Sequence, residues 1–426
     1  MRYGRCHWHA LLCCVLLLAA SQGCIGQESL SWTQVKARFE STNPALQAGE
    51  SGVDEMRANE VTAFLRPNPQ FTLAADGTQI ASHDDVWQPT RGTFVVPTIS
   101  YLHERRHKRE LRLQSAQEGT RVAASQYDDL KRNLEFNLHE AFVTTLEAKE
   151  VLKLARADLD YYDKIIDLSK SRYQAGDISQ VDLDRIELLR VQYEAEIQSA
   201  IVNLRTSKIQ LLQLLDDRTP VDEFDVDGSF DSVANLQPLD HYHQIALDSR
   251  PDLQAAMQAA QQAVTNHKLA IANGSTDPTI SGWYTWNSSN NNPNGLQTIG
   301  GSVSIPLRVF DHNQGEKERT LIDIRRSQQI TEATRAQIFS DVDSAYTEVQ
   351  SSLALIAPYK TQYKDQATRV RDTVTYAYEH GGASLMDFLN AQSDYRVVQL
   401  AYLQLIGSYL TAADQLNLAI GREVLQ

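Results

Sequence analysis

The segment from residue 301 to residue 315 changes its hydrophobic period in the middle, and few folds accommodate such a change. Over residues 298–307, apolar side chains such as Ile299, Val303 and Ile305 alternate with threonine and serine. This alternation predicts a strand with one apolar and one polar face. Turn-forming residues follow, and helical spacing then begins at about residue 316, with no proline before Pro358. The sequence therefore predicts a two-faced strand that leads directly into a very long helix.

The same order of elements occurs twice along the chain. Strands are predicted near residues 70–75 and 93–100, followed by a helix over 101–174 and a returning helix over 179–215. The second half repeats this order, and Gly381 and Asp387 lie 205 residues after Gly176 and Asp182. The pattern predicts a mainly α protein with a small β part, built from a duplicated helix–strand–strand–helix–helix unit. The predicted boundaries are 24–215 for the first repeat, 216–240 for a linker and 241–426 for the second repeat.

The first residues have the features of an export signal. Arg2 and Arg5 precede a short apolar run, so residues 1–23 are predicted to be a signal peptide. Gly23 followed by Cys24 resembles the cleavage box of lipoproteins, in which the cysteine carries lipid, and ordinary cleavage nearby is the alternative. All four cysteines lie within this segment, so no disulfide is expected in the remaining chain.

Composition and motifs exclude several classes of function. The formal net charge of −14 argues against a nucleic-acid partner. The sequence has no glycine-rich phosphate loop, nucleophile elbow or His-Glu-x-x-His motif, so neither enzymatic activity nor a cofactor is predicted. His103 and His107 lie four residues apart on the predicted helix, a spacing that can hold a metal. Their neighbours are mostly cationic, so we interpret them as part of a solvated basic collar and predict no metal site.

The four predicted strands suggest a membrane protein made of several chains. No stretch after the signal has eighteen consecutive apolar residues, so a membrane would have to be crossed by strands. Four strands of about ten residues have the required length but cannot close on themselves. Either the strands do not lie in a membrane, or several chains contribute to one barrel. Trp283, Tyr284 and Trp286 suit an aromatic girdle at the lipid interface, with core packing as the alternative.

These features resemble the TolC family of outer-membrane efflux proteins. The resemblance is carried by the junction at residues 304–315, by residues 250–256 and 378–392, and by the closing residues 418–421. It covers essentially the whole mature chain and includes the duplication. The Pro-Leu-x-x-Phe-Asp-x-x-Gln-Gly form of the junction is most similar to the cobalt–zinc–cadmium efflux branch, although related junctions occur in drug-efflux members.

The resemblance implies a homotrimer in the bacterial outer membrane with its helical part in the periplasm. Each chain would contribute four membrane strands to one twelve-stranded barrel, and long α-helical hairpins to a trimeric α-barrel. This duct would meet a periplasmic adaptor (membrane fusion) protein and an inner-membrane pump. It would passively export small solutes or metal cations, and lipid on Cys24 would add a second anchor in the outer-membrane lipid.

The resemblance also implies which residues act at the periplasmic tips of the helices. Asp182 and Asp387 match aspartates that form acidic rings across the pore in the family, although each could be an ordinary residue at the start of a helix. A second acidic position of the family is Asn390 here, which argues against a double ring. A basic position that can lock the closed state is Ala383 here, so any lock must differ.

The turn residues at these tips would contribute to docking the adaptor. The docking residues are Tyr173, Gly176, Tyr378 and Gly381. The tyrosines could equally pack the tip, and the glycines are expected to be structural.

The sequence leaves two other functions open. A duct for type I protein secretion would have the same fold. A periplasmic coiled-coil lipoprotein without a pore would not need the four two-faced strands.

Overall fold

The computed structural model describes residues 29–82, 84–90, 92–231, 236–287 and 297–425. The predicted signal peptide, Cys24 and the loop at 288–295 lie outside these residues. The described chain is mainly α-helical with a small β part, which confirms the predicted fold class. None of its helices has both the length and the apolar character that crossing a bilayer requires.

The four longer strands and the long helices follow the predicted order in both halves, whereas β1, β4 and α5 were not predicted. In the first half they are β1 Ser29–Leu30, α1 Trp32–Thr42, α2 Pro44–Phe64, β2 Gln70–Asp76, β3 Phe94–Leu102, α3 Lys108–Ala175 and α4 Gln180–Leu214. After β4 Asp225–Val226 come α5 Leu239–Ser249, α6 Pro251–Asn273, β5 Thr279–Asn287, β6 Gln297–Ser304, α7 Gln314–Pro358, α8 Lys364–Glu379 and α9 Leu385–Ile420. A π-helical turn, Tyr359–Tyr363, follows Pro358 and separates α7 from α8.

Strands β2, β3, β5 and β6 form one antiparallel sheet in that order, so β2 and β6 are its edges. The register places Phe71 beside Ile99, Ile280 beside Val303 and Tyr284 beside Ile299 on one face. Most side chains of this face are apolar, and Ile299 is 87% exposed in the single chain. The opposite face carries mainly threonine and serine. The predicted two-faced strand is thus one member of a two-faced sheet.

Two boundaries differ from the sequence-based predictions. Strand β6 ends at Ser304 rather than at residue 307, because Pro306 has no backbone N–H to continue the ladder. Helix α3 begins at Lys108 rather than at 101, because β3 continues to Leu102. Arg106 and His107 have φ values of 61° and 56°, which turn the chain between the strand and the helix. His103 and His107 therefore do not lie on one helix, and the i, i+4 argument does not apply to them.

The described residues divide into two compact units: residues 29–45, 132–231, 236–242 and 341–425 form the first, and residues 46–82, 84–90, 92–131, 243–287 and 297–340 form the second. Within the first unit, Val35 and Phe39 of α1 are fully buried. Val342, Ala345 and Val349 form a seam of α7 at steps of three and four residues, and they are almost fully buried as well. Both units combine segments from both halves of the sequence. The repeat boundaries given above therefore stay a prediction about sequence, distinct from these units.

Candidate functional site

The two helix–turn–helix tips, residues 172–182 and 378–387, belong to the same compact unit. In the first tip, Gly176 follows the end of α3 with φ of 84°, and its N–H donates to the Tyr173 carbonyl at 3.0 Å. In the second tip, Gly381 has φ of 75° and donates to the Tyr378 carbonyl at 3.2 Å. Both glycines occupy the left-handed region, which a residue with a side chain adopts only with strain.

Each tip starts its second helix with a serine cap and an aspartate three residues later. The Ser179 hydroxyl accepts from the Asp182 N–H at 3.1 Å, and the Ser384 hydroxyl accepts from the Asp387 N–H at 3.2 Å. The Asp387 carboxylate also accepts from the Ser384 hydroxyl at 2.7 Å and from its N–H at 3.2 Å, which completes a capping box. These hydrogen bonds hold the pKa of Asp387 below its ordinary value.

The predicted constriction residues are therefore also capping residues. Asp387 and Asn390 are exposed and Asp182 is half-buried in the single chain. The cap fixes where the Asp387 charge lies, and an exposed carboxylate remains free to act on ions in solution. Capping and an acidic ring are compatible, so the constriction role of these residues stays a prediction.

The two predicted docking tyrosines have different environments. Tyr378 is 2% exposed and lies in an apolar cluster with Tyr162, Ile186 and Phe388, stacked on the Phe388 ring at 5.1 Å. Tyr173 is 41% exposed. Tyr378 therefore packs the interior of the tips, whereas Tyr173 is available for contact with another molecule.

Arg172 links the two tips, a role that the sequence analysis missed. Its Nη1 donates to the Tyr378 carbonyl at 2.5 Å, and its guanidinium carbon lies 4.8 Å from the centre of the Tyr378 ring. One side chain of the first tip thus binds both the backbone and the ring of the second. The last turn of a helix favours a basic residue for dipole reasons alone, so the sequence offered no signal that distinguished Arg172.

The sheet forms a second candidate functional region, and its register corrects the prediction that Trp283, Tyr284 and Trp286 belong to one aromatic girdle. Tyr284 and Trp286 lie on the apolar face, as an interfacial girdle requires. Trp283 lies on the opposite face, because successive residues of a strand alternate. A Cβ on Gly300 would lie only 2.4 Å from the Trp283 ring, so the indole rests flat on the glycine of the neighbouring strand.

Among the described residues, no group of three or more histidine, cysteine, aspartate or glutamate side chains is placed to hold a metal ion. Arg105 and Lys108 of the predicted basic collar bind the segment before β5, where the Lys108 ammonium lies 2.6 Å from the Asp277 carboxylate.

Comparison with known proteins identifies this architecture. A sequence model described as outer membrane efflux protein matches residues 38–217 and 243–422. The cobalt-zinc-cadmium resistance protein CzcC of Cupriavidus metallidurans is 23% identical over 388 residues, 89% of this chain and 87% of CzcC. The pyoverdine export outer membrane protein OpmQ of Pseudomonas aeruginosa is 23% identical over 70% of this chain and 64% of OpmQ.

A solved structure extends the comparison to the fold. The open state of the outer membrane channel MtrE of Neisseria gonorrhoeae superposes with a TM-score of 0.72 at 16% identity, covering 95% of this chain and 94% of MtrE. These matches confirm the resemblance that the junction and tip motifs indicated, and with it the prediction that the chain is not an enzyme. The chain belongs to the outer membrane efflux protein family, whose members are channels of the outer membrane with a helical part in the periplasm.

Proposed function

We propose that this protein is the exit duct of a tripartite efflux system and works as a homotrimer. The observation that carries the proposal is the two-faced sheet. Its apolar face suits lipid, and its polar face suits water. On their outer sides, the edge strands β2 and β6 pair with no other described strand. Unpaired edges are costly in a bilayer, so pairing with further copies of the chain would satisfy them.

Helix α4 supports the same assembly. Val181, Leu188, Ala195, Val202 and Ile209 recur every seventh residue, and the four larger side chains are 53–72% exposed in the single chain. We call these five residues the α4 stripe. A heptad stripe of this kind is typical of a helix that packs along another helix. A neighbouring copy would cover the stripe and build the wall of a periplasmic tunnel.

Transport through such a duct would be passive, and the tips would control it. Three copies of Asp387, and of Asp182, would lie around one opening, where carboxylates attract cations and repel anions. The exposed Tyr173, with the turns at Gly176 and Gly381, would meet a periplasmic adaptor that connects the duct to an inner-membrane pump.

The proposed cargo is small solutes or metal cations. Two relatives support this range, because CzcC is named for cobalt, zinc and cadmium resistance and OpmQ for pyoverdine export. Lipid on Cys24 would give the trimer a second anchor.

The test is single-channel recording of the purified protein in a planar bilayer, with Asp387→Asn as the matched variant. Asparagine keeps an acceptor for the cap and removes the charge. We expect a cation-selective conductance whose selectivity falls in the variant. Equal selectivity in both proteins would exclude the acidic constriction and keep the duct. A monomer that stays out of the bilayer would overturn the duct and favour the coiled-coil scaffold.

A further inference from the structure

One end of the sheet is surrounded by basic and apolar side chains. Leu102, Thr279 and Ser304 are level with one another in the ladder, so all three strands meet their helical connections at this end. We call residues 64–66, 103–109 and 305–310 the rim. The chain has a net charge of −14, yet the rim holds six lysine and arginine residues against one acidic residue, Glu104.

Hydrogen bonds and ring contacts join two segments of the rim, residues 64–66 and 103–109, around α3. Arg112, just beyond it, donates to the Ala63 carbonyl at 3.3 Å and to the Leu65 carbonyl at 3.4 Å. The Arg109 guanidinium carbon lies 4.4 Å from the centre of the Phe64 ring. Arg105 donates to the Thr276 carbonyl at 2.8 Å. These contacts bring the end of α2 and the start of α3 together at the end of the sheet.

Some rim cations are engaged in these contacts, and others are not. Arg105 and Arg109 are held as described. Arg66 and Arg106 are exposed and form no ion pair or hydrogen bond with the described part of the chain. The side chain of His107 is 87% exposed, and its Nδ1 lies 3.9 Å from a carboxylate oxygen of Glu110. The positive φ angles of Arg106 and His107 occur in the turn that presents these side chains outside the helix.

Large apolar side chains accompany these cations. Leu65 is 60% exposed, Leu307 84%, Val309 65% and Phe310 90%. Cations beside exposed apolar residues are typical of surfaces that lie in the interface of an anionic bilayer. The apolar groups enter the acyl boundary, while the cations remain level with the headgroups.

We propose that the rim binds the anionic headgroups of phospholipids on the periplasmic surface of the outer membrane. The proposal rests on the proposed function, because the strands must lie in the membrane for the rim to reach that surface. Charge complementarity identifies the occupant: the unpaired arginines match phosphate, and the exposed apolar residues match the chains below it. This contact would fix the depth of the sheet in the bilayer.

The test titrates phosphatidylglycerol, or phosphatidylcholine as the neutral probe, into the full protein in neutral detergent. Native mass spectrometry then counts the bound lipids and reports the number of copies. We expect tighter binding of phosphatidylglycerol by the wild type. Arg66→Gln with Arg106→Gln should weaken it roughly fivefold for each charge removed, and roughly twenty-five-fold together. Arg66→Lys with Arg106→Lys should keep the preference.

A control pair and a second readout separate the possible outcomes. Arg156→Gln with Arg185→Gln changes two exposed arginines of the other compact unit and should leave lipid binding unchanged. Absence of a lipid preference in the wild type, or its persistence in the rim variant, would overturn the proposal. Loss of the oligomer in the rim variant would do so as well, because the rim would then be a contact between copies. Conductance of the same preparations tests the duct separately and should persist in the rim variant.

Discussion

Replacing Arg172 by alanine should open the channel, because we expect the two tips of a chain to part when the duct opens. The change removes the hydrogen bond to the Tyr378 carbonyl and the stacking on its ring. A hydrogen bond from a charged donor contributes about 1.5–3 kcal/mol, and a cation–π contact at an exposed site about 0.5–1 kcal/mol. Arg172 is half-buried, so solvent reduces both contributions.

We therefore expect a loss of about 2 kcal/mol from the closed state, which is about a thirtyfold change in the ratio of open to closed channels. Single-channel recording in a planar bilayer measures this ratio as the open probability. Tyr378→Phe is the matched control, because the phenylalanine keeps both the ring and the carbonyl. The Tyr378 hydroxyl, which this variant removes, makes only a 3.5 Å contact with the Ser169 hydroxyl. The variant should therefore open little more often than the wild type.

Two results would refute the reasoning. If Arg172→Ala opens no more often than the wild type, the link between the tips does not hold the closed state. If Tyr378→Phe opens as often as Arg172→Ala, the hydroxyl contact and not the guanidinium would be responsible. Thermal unfolding followed by circular dichroism would show that each variant keeps its helices, so that the recordings compare folded channels.

Three further predictions concern the same compact unit. Burial raises the pKa of Asp158 to about 6 from 3.8, with Arg396 and Arg371 opposing and Glu196 adding to the rise, so folding favours its protonated form. Its contribution to stability is therefore most favourable below pH 4 and is lost as the pH rises through 6. Asp158→Asn should remove this pH-dependent part of the stability, as measured by thermal unfolding between pH 4 and pH 6. A pH profile equal to that of the wild type would contradict the raised pKa of Asp158. Leu188→Asp should dissociate the trimer in native mass spectrometry, because it places a charge on the α4 stripe. Leu188→Ala should weaken the trimer less. A trimer in both variants would show that the stripe lies outside the interface. Gly381→Ala should lower the free energy of unfolding in denaturant by about 1 kcal/mol, because Gly381 has a positive φ that strains a residue with a side chain. Gly382 has no such φ, so Gly382→Ala should not have this effect. Equal effects of the two substitutions would exclude the strain argument.

The long helices and the sheet could be predicted because their periods extend over many residues. The seam of α7 and the alternation of β6 each repeat often enough to identify the element and the face it buries. The connection between β3 and α3 could not be predicted in this way. Arg106 and His107 turn the chain with left-handed backbone angles, yet neither is glycine or asparagine, and a run of charged residues beside a helical pattern predicts more helix.

The faces of the sheet show a similar limit. Alternation alone separates Trp283 from Tyr284, but three aromatic residues within four positions suggested one girdle. The register adds what the pattern lacked, because it places Trp283 against Gly300 of β6. A glycine that leaves room for a neighbouring indole is visible only once the pairing of the strands is known.

The tips show most directly what a duplicated sequence conceals. The two turns align without a gap and share a tyrosine, a glycine, a serine and an aspartate, so the sequence predicts equal roles for Tyr173 and Tyr378. The position that corresponds to Arg172 in the second repeat, 205 residues later, is Ala377. Arg172 can therefore bind the second tip, and the second tip has no equivalent side chain with which to bind in return. Tyr378 is covered by this arginine and by the apolar cluster with Phe388, whereas Tyr173 is 41% exposed. A duplication that had kept arginine at both positions would predict two equivalent links. The apolar cluster of Tyr162, Ile186, Tyr378 and Phe388 also joins the two hairpins. We therefore expect a substitution at Arg172 to weaken the contact between the tips, and a substitution at Ala377 to change it less.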